Sequence, residues 1–260
     1  MLIQRLKRLA KRALRRHRSA DASNQPLNPA TRAALNEGTL PSSSLMELVA
    51  GTDDANWFIH SGRLGFETLI EAIERQGMTP DRLSAVLDFG CGSGRVIRHW
   101  RSQGHLRLAG CDYNPRLIDW CQDHLQFAEF QVNSLGPPLS YATGQFNLVY
   151  AFSVFTHLGL RRQQDWLEEL ARVLRHGGLL VVSTHGDAYF EKLTVEQRIS
   201  YLADEIVLLM PKQEGSNDCA AFHPPQAFRS LVKPHFAVLE FVPHGAKGNP
   251  VQDLWVCLRE

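Results

Sequence analysis

Between Ser84 and Gly186 the chain repeats one rhythm: an apolar run, a turn rich in Gly or Asp, a helical pattern, then the next apolar run. The runs are Ala85 to Phe89, Leu106 to Cys111, Phe127 to Val132, Phe146 to Phe152 and Leu179 to Thr184. Helical patterns lie between them at Arg95 to Arg101, Pro115 to His124 and Gln163 to Leu174. Strands separated by helices pair in parallel, because the crossover returns the chain to the same end of the sheet. Two later runs, Phe236 to Val242 and Leu254 to Leu258, are joined by a loop too short for a crossover helix, so they are predicted to pair antiparallel. The expected fold is α/β, a doubly wound sheet of seven strands, mostly parallel, with a terminal antiparallel pair and helices on both faces.

Charge divides the chain unevenly. Of its 28 Lys and Arg, eight fall in residues 1–18, which hold no acid, leaving 20 basic against 27 acidic side chains in the rest, +8 against −7. In residues 1–18, Leu2, Leu6, Leu9 and Ala13 form one helical stripe, and the segment reads as a basic amphipathic helix suited to an anionic membrane surface. Residues 19–28 read as a linker and 29–260 as one domain: a helical lid over 29–80, a ligand-binding core over 84–186, and a substrate-side insertion with the last strands over 187–260. A helix is expected from Gly65 to Arg75. The mildly acidic body argues against nucleic acid as a partner. Five scattered Cys and no C-x-x-C pair argue against a disulfide framework or zinc site and point to a cytoplasmic setting, with attachment to the inner membrane face through residues 1–18.

The chemistry concentrates after the first strand, in Asp88-Phe89-Gly90-Cys91-Gly92-Ser93-Gly94. Three alternating glycines permit a tight turn and close approach of backbone N–H groups to a ligand. Asp88 is placed to attract a ligand ammonium. Asp112, 22 residues after Gly90 and at the end of the second run, is placed to accept hydrogen bonds from ribose hydroxyls, so the ligand should contain adenosine. A dinucleotide fingerprint would need glycine where Arg95 stands, and no Gly-Lys-Ser/Thr supports a phosphate loop.

The D-x-G-x-G-x-G pattern, with Asn133 to Leu139 and Phe152 to Leu158, resembles the class I S-adenosylmethionine-dependent methyltransferases of the small-molecule or glycan type, over Ser84 to Gly186 with an echo at Gln252 to Val256. The resemblance implies a Rossmann-like fold and S-adenosylmethionine as cofactor. It implies further that Gly90, Cys91, Gly92 and Gly94 pack on the methionine moiety, that Asp112 holds the ribose and that Tyr113 borders the adenine. Asn133, beside Ser134, would meet the adenine amino group, and Phe152, Ser153 and Phe155 would line the pocket. Asn147 and His176 depart from the family pattern, which commonly has Asp and Pro there. Arg63 and Arg95 are candidates to neutralise the methionine carboxylate.

For a base, the candidates are His157, after the fourth strand, His185, after the fifth, and His223. The expected reaction is O-methylation of a small molecule or glycan without a metal; the alternative is a non-catalytic S-adenosylmethionine-binding regulatory or scaffold module.

Overall fold

The computed structural model describes residues 26–248 and 250–260. The basic segment 1–18 and most of the linker lie outside the described residues. The chain divides into a compact unit up to His60 and a second from Ser61 to Glu260. The first contains α1 (Pro29–Asn36), α2 (Ser43–Ala50) and the start of α3 (Ala55–Arg75), with Met46, Phe58 and Ile59 as its buried cluster. Asn28 caps α1 by accepting from Thr31 N at 2.9 Å.

In the second unit β1 (Ala85–Phe89), β2 (Arg107–Asp112), β3 (Glu129–Val132), β4 (Phe146–Ala151), β5 (Leu174–Thr184), β8 (Phe236–Val242) and β9 (Asp253–Arg259) form one seven-stranded sheet of order β3-β2-β1-β4-β5-β9-β8. The first five strands are parallel, and β9 runs antiparallel to both β5 and β8, as the loop lengths require. The strand order reverses between β1 and β4, which puts a crevice at their carboxyl ends.

The buried strands send alternate side chains to opposite layers. Leu87, Val149, Ala151, Leu180 and Trp255 pack with Trp166 and Leu170 of α5 (Leu160–Val173) and Phe228 of α6 (Pro225–Val232). Val86, Leu148, Tyr150, Val181 and Val256 face Leu69 and Ile73 of α3 and Ile118 of α4 (Pro115–His124). Asn147, the departure noted in β4, has a structural role: its amide oxygen accepts from Ser84 N, Ser84 Oγ and Ala85 N, tying β4 to the start of β1.

Three expectations need correction. The helical pattern at Arg95 to Arg101 is a run of turns ending in a 3₁₀ helix, Ile97–Trp100, because Gly94 is left-handed at φ +70° and the Arg95 side chain is drawn to Ser61 Oγ (3.3 Å) and the Gly248 carbonyl (3.0 Å). The helix expected from Gly65 starts ten residues earlier, at Ala55. Gly62 and Gly65 interrupt its apolar pattern where it passes closest to the glycine loop: a Cβ on Gly62 would fall on the Arg95 carbonyl oxygen, and one on Gly65 would lie 3.3 Å from Val96. Between Gly186 and Phe236, where the apolar runs predict no strand, β6 (Val207–Leu209) pairs antiparallel with β7 (Ala220–Phe222). These strands are too short for period-2 alternation to reveal them.

Gly62→Ala should therefore destabilise the protein by about 1 to 3 kcal/mol through overpacking, although alanine is the better helix former by about 1 kcal/mol. Urea denaturation checks this; a stabilised variant would show that α3 does not approach the loop so closely.

Candidate active site

β1 delivers the chain into a loop in which Gly90, Gly92 and Gly94 have φ of +76°, +57° and +70°, a conformation that other residues adopt only with strain. Gly90 N and Cys91 N donate to the Cys111 carbonyl at 2.8 and 3.0 Å, so the end of β2 holds the loop. Asp112 completes the hold. Its Oδ2 accepts from Gly92 N at 3.0 Å, its Oδ1 from Asn114 N at 2.9 Å, and its carbonyl from Asn133 N at 3.1 Å. Burial raises its carboxyl above the usual range, while the backbone N–H groups work the other way. Each carboxylate oxygen retains a lone pair for a ligand hydroxyl.

At the end of β3, Asn133 Nδ2 donates to the Ser134 carbonyl at 2.7 Å, but Asn133 Oδ1 is buried with no hydrogen-bond partner, as is Ser93 Oγ in the glycine loop. Buried acceptors are normally satisfied. An adenine amino group would satisfy the first, so the residues present fit an adenosine-containing cofactor. Tyr113 is 42% exposed and stands beside this edge.

Asp88 is buried at the end of β1, where Tyr150 OH donates to its Oδ2 at 2.9 Å. Burial raises its carboxyl to about 7, against the lowering effect of the Tyr150 hydrogen bond and Arg95. The folded protein thus keeps a proton on Asp88 that the unfolded chain has released above about pH 4. Stability falls as pH rises from there toward 7. Asp88→Asn, which keeps an acceptor for Tyr150, should raise Tm relative to wild type more at pH 8 than at pH 5; equal shifts in thermal melts at the two pH values would show that Asp88 does not titrate in this window.

Cys91 is a packing residue. Its thiol and that of Cys121 donate to the same Gly92 carbonyl at 3.5 and 3.4 Å, and burial pushes the Cys91 thiol well above its ordinary value. Arg95, buried, donates through Nη1 to Ser61 Oγ and to the Gly248 carbonyl. Arg63 lies in an exposed ion pair with Glu67.

On the other side of the crevice, the chain leaving β4 passes through Ser153, which is left-handed at φ +60°. Ser153 N donates to Ser183 Oγ (2.8 Å), Ser183 Oγ to Gln252 Oε1 (2.7 Å), and Gln252 Nε2 back to Ser153 Oγ (2.6 Å). A closed ring of hydrogen bonds therefore fixes this strained residue. Phe152 packs against Tyr150 with ring centroids 5.7 Å apart. Phe155 is fully buried in the opposite layer, edge-on to Phe228, and is core there, not a neighbour of Phe152.

The three histidines differ. His157 Nδ1 donates to the Cys219 carbonyl at 2.8 Å, which leaves Nε2 as the acceptor, and burial lowers its pKa. His185 stands 6.4 Å away, ring to ring, stacked on Phe222 and beside Tyr189. Gln252 Nε2 points at its Nε2 at 3.4 Å, and burial first, then His157, lowers it to about 4. His223 is inaccessible: its Nε2 donates to Gln163 Oε1 at 3.0 Å and burial lowers it to about 3, so it is a neutral core residue and not a base. Sequence reading missed Ser183, Gln163, Glu214 and the Cys219 carbonyl, none of which belongs to a motif; Gln252 was visible only as the start of the distant echo.

Residues 87–182 match the family model described as Methyltransferase domain. A malonyl-[acyl-carrier protein] O-methyltransferase from Enterobacter lignolyticus is 31% identical over 106 residues, 40% of this chain and 39% of that one. A tRNA N(3)-methylcytidine methyltransferase from Schizosaccharomyces pombe is 29% identical over 122 residues, 43% of this chain and 48% of that one. The chain thus spans less than half the length of these curated relatives. Among solved structures, an S-adenosylmethionine-dependent methyltransferase from Methanosarcina mazei superposes with a TM-score of 0.55 at 19% identity, covering 72% of this chain and 96% of that one. The glycopeptide N-methyltransferase MtfA, complexed with S-adenosylmethionine, gives 0.53 at 12% identity, covering 75% and 94%. With the glycine loop, the Asp112 hub and this sheet order, these similarities identify residues 87–182 as a methyltransferase domain on the fold shared with S-adenosylmethionine-dependent methyltransferases.

Proposed function

We propose that the protein transfers a methyl group from S-adenosylmethionine to an oxygen of a small molecule or glycan. The observation that carries this reading is the half-buried His157, in the turn Phe155–His157 that follows β4, whose Nδ1 donates to the Cys219 carbonyl and so leaves Nε2 as the acceptor of the ring. When bound, the cofactor supplies an electrophilic methyl on its sulfonium. The chain's own work is then to align the acceptor, exclude water and take up the hydroxyl proton at His157 Nε2. Burial keeps this imidazole neutral at physiological pH, as a base requires. Asp112 and Asn133 orient the adenosine end, and the Ser153–Ser183–Gln252 ring keeps the end of β4 rigid between the two halves of the site.

The test is transfer of label from methyl-tritiated S-adenosylmethionine to acceptors in fractionated extract. Label in a neutral small molecule, stable to mild base, supports transfer to a hydroxyl. Base-labile label would identify a carboxylate acceptor, and label retained on the cofactor in every fraction would favour the non-catalytic module.

The stripe and +8 charge of residues 1–18 support a place for the acceptor at an anionic membrane surface. Co-sedimentation with phosphatidylserine vesicles, compared with a chain starting at Ser19, tests this; equal pelleting of the two would remove it.

A further inference from the structure

Outside the matched residues, a strap at residues 210–219 leads from β6 toward β7 and touches both halves of the site. Glu214 in this strap accepts from Gly159 N at 2.6 Å through Oε1 and from Arg162 Nε at 3.0 Å through Oε2. Gly159 is the N-cap of α5 and has no side chain with which to cap it, so a carboxylate there satisfies an orphan helix N–H and meets the positive end of the helix. The next residue, Gly215, donates its N–H to the His157 carbonyl at 2.9 Å, and Cys219 at the far end of the strap accepts from His157 Nδ1. Backbone and ring of His157 are thus held by the same strap from two sides. Gly215, at φ +84°, also lies so close to Tyr113 that a Cβ would sit 3.4 Å from its ring.

We propose that Glu214 is a positioning residue for methyl transfer: by clamping the strap to the start of α5, its carboxylate holds the His157 ring in the tautomer that leaves Nε2 free to accept a proton. The inference rests on the reading of His157 as the base. An imidazole free in water favours the Nε2–H tautomer, which would put the proton on the atom that must receive one. The Cys219 carbonyl reverses this preference, and it stays in place only while the strap does. Facing the His157 ring are the Cys219 carbonyl of the strap and, 6.4 Å away, the His185 ring that follows β5; beyond His185 lie Tyr189 and, over its ring, Lys192 of the helical turn Asp187–Lys192, while Glu214 of the strap pairs with Arg162 of α5. Burial is the larger influence on the ring, so loosening the strap moves its titration upward.

The test is long-range proton–nitrogen NMR of the full chain, labelled with ¹⁵N-histidine, across a pH series. Wild type should show neutral His157 as Nδ1–H. In Glu214→Ala the Nε2–H form should become the major one and the midpoint should move up toward the ordinary imidazole range. Glu214→Gln keeps an acceptor for Gly159 N but no ion pair, and should fall between. If Glu214→Ala does not fold, Arg162→Gln, which breaks the pair from the other side, should shift the ring the same way by less. Retention of the Nδ1–H form with a wild-type midpoint in a folded Glu214→Ala or Arg162→Gln variant overturns the proposal. Titration of wild type with S-adenosylhomocysteine is scored separately: its failure would defeat the methyl-transfer reading, while the tautomer still decides whether the clamp exists.

Discussion

Asp112→Ala should weaken S-adenosylhomocysteine binding by about 2 to 4 kcal/mol, roughly 30- to 1,000-fold, the range for charge-assisted hydrogen bonds lost together with the order they impose. The carboxylate does two things at once. Its oxygens accept from Gly92 N and Asn114 N, fixing the glycine loop and the turn into α4, and the remaining lone pairs face the position expected for the ribose. Removing it deletes the ligand contacts and leaves a buried Gly92 N–H without its acceptor. Asp112→Asn should lose less, because an amide oxygen can serve one of the two backbone donors, but its NH₂ must then face the other. Calorimetry on the two variants checks the order. An alanine variant within threefold of wild type would mean that Asp112 only ties the glycine loop to the turn before α4.

His157→Ala should lower kcat by about 10²- to 10⁴-fold, the usual contribution of a positioned base, with cofactor affinity nearly unchanged. The split follows from position: His157 follows β4 while Asp112 ends β2 and Asn133 follows β3, and among the described residues its only ring hydrogen bond is to Cys219. Since burial lowers its pKa, the acid limb of the kcat profile should lie below the ordinary imidazole range. His185 should matter less, because Gln252 already points at its Nε2. His223→Ala should act on stability, since it leaves Gln163 Oε1 without its donor in the core. Wild-type kcat in His157→Ala would reduce His157 to a structural residue.

The sheet was legible because its strands are mainly apolar runs set off by turn residues; Ala85–Phe89 and Phe236–Val242 were bounded correctly from that pattern alone. The glycine loop and Asp112 were legible for the same reason that they work: left-handed backbone and close approach demand glycine at fixed spacing. Elements set by tertiary contact were not. The early start of α3 was hidden by glycines that exist to let Arg95 approach, and β6 with β7 by their length. Phe155 and His223 carry residue types that suit a pocket wall and a base, yet both point into the core, and no spacing distinguishes a buried His bonded to Gln163 from an exposed one. Glu214 and the Cys219 carbonyl act through a strap whose path only the folded chain reveals.

The central claim is that the loop from Asp88 to Gly94, closed by Asp112 and bordered by Asn133, binds S-adenosylmethionine and not a dinucleotide. Calorimetric titration of the full chain with S-adenosylhomocysteine and, separately, with NAD tests it most directly. The account predicts micromolar binding of S-adenosylhomocysteine, on the order of −8 kcal/mol, and far weaker binding of NAD, since Arg95 occupies the place of the fingerprint's third glycine. Tighter binding of NAD, or no heat with S-adenosylhomocysteine at millimolar concentration, would contradict it.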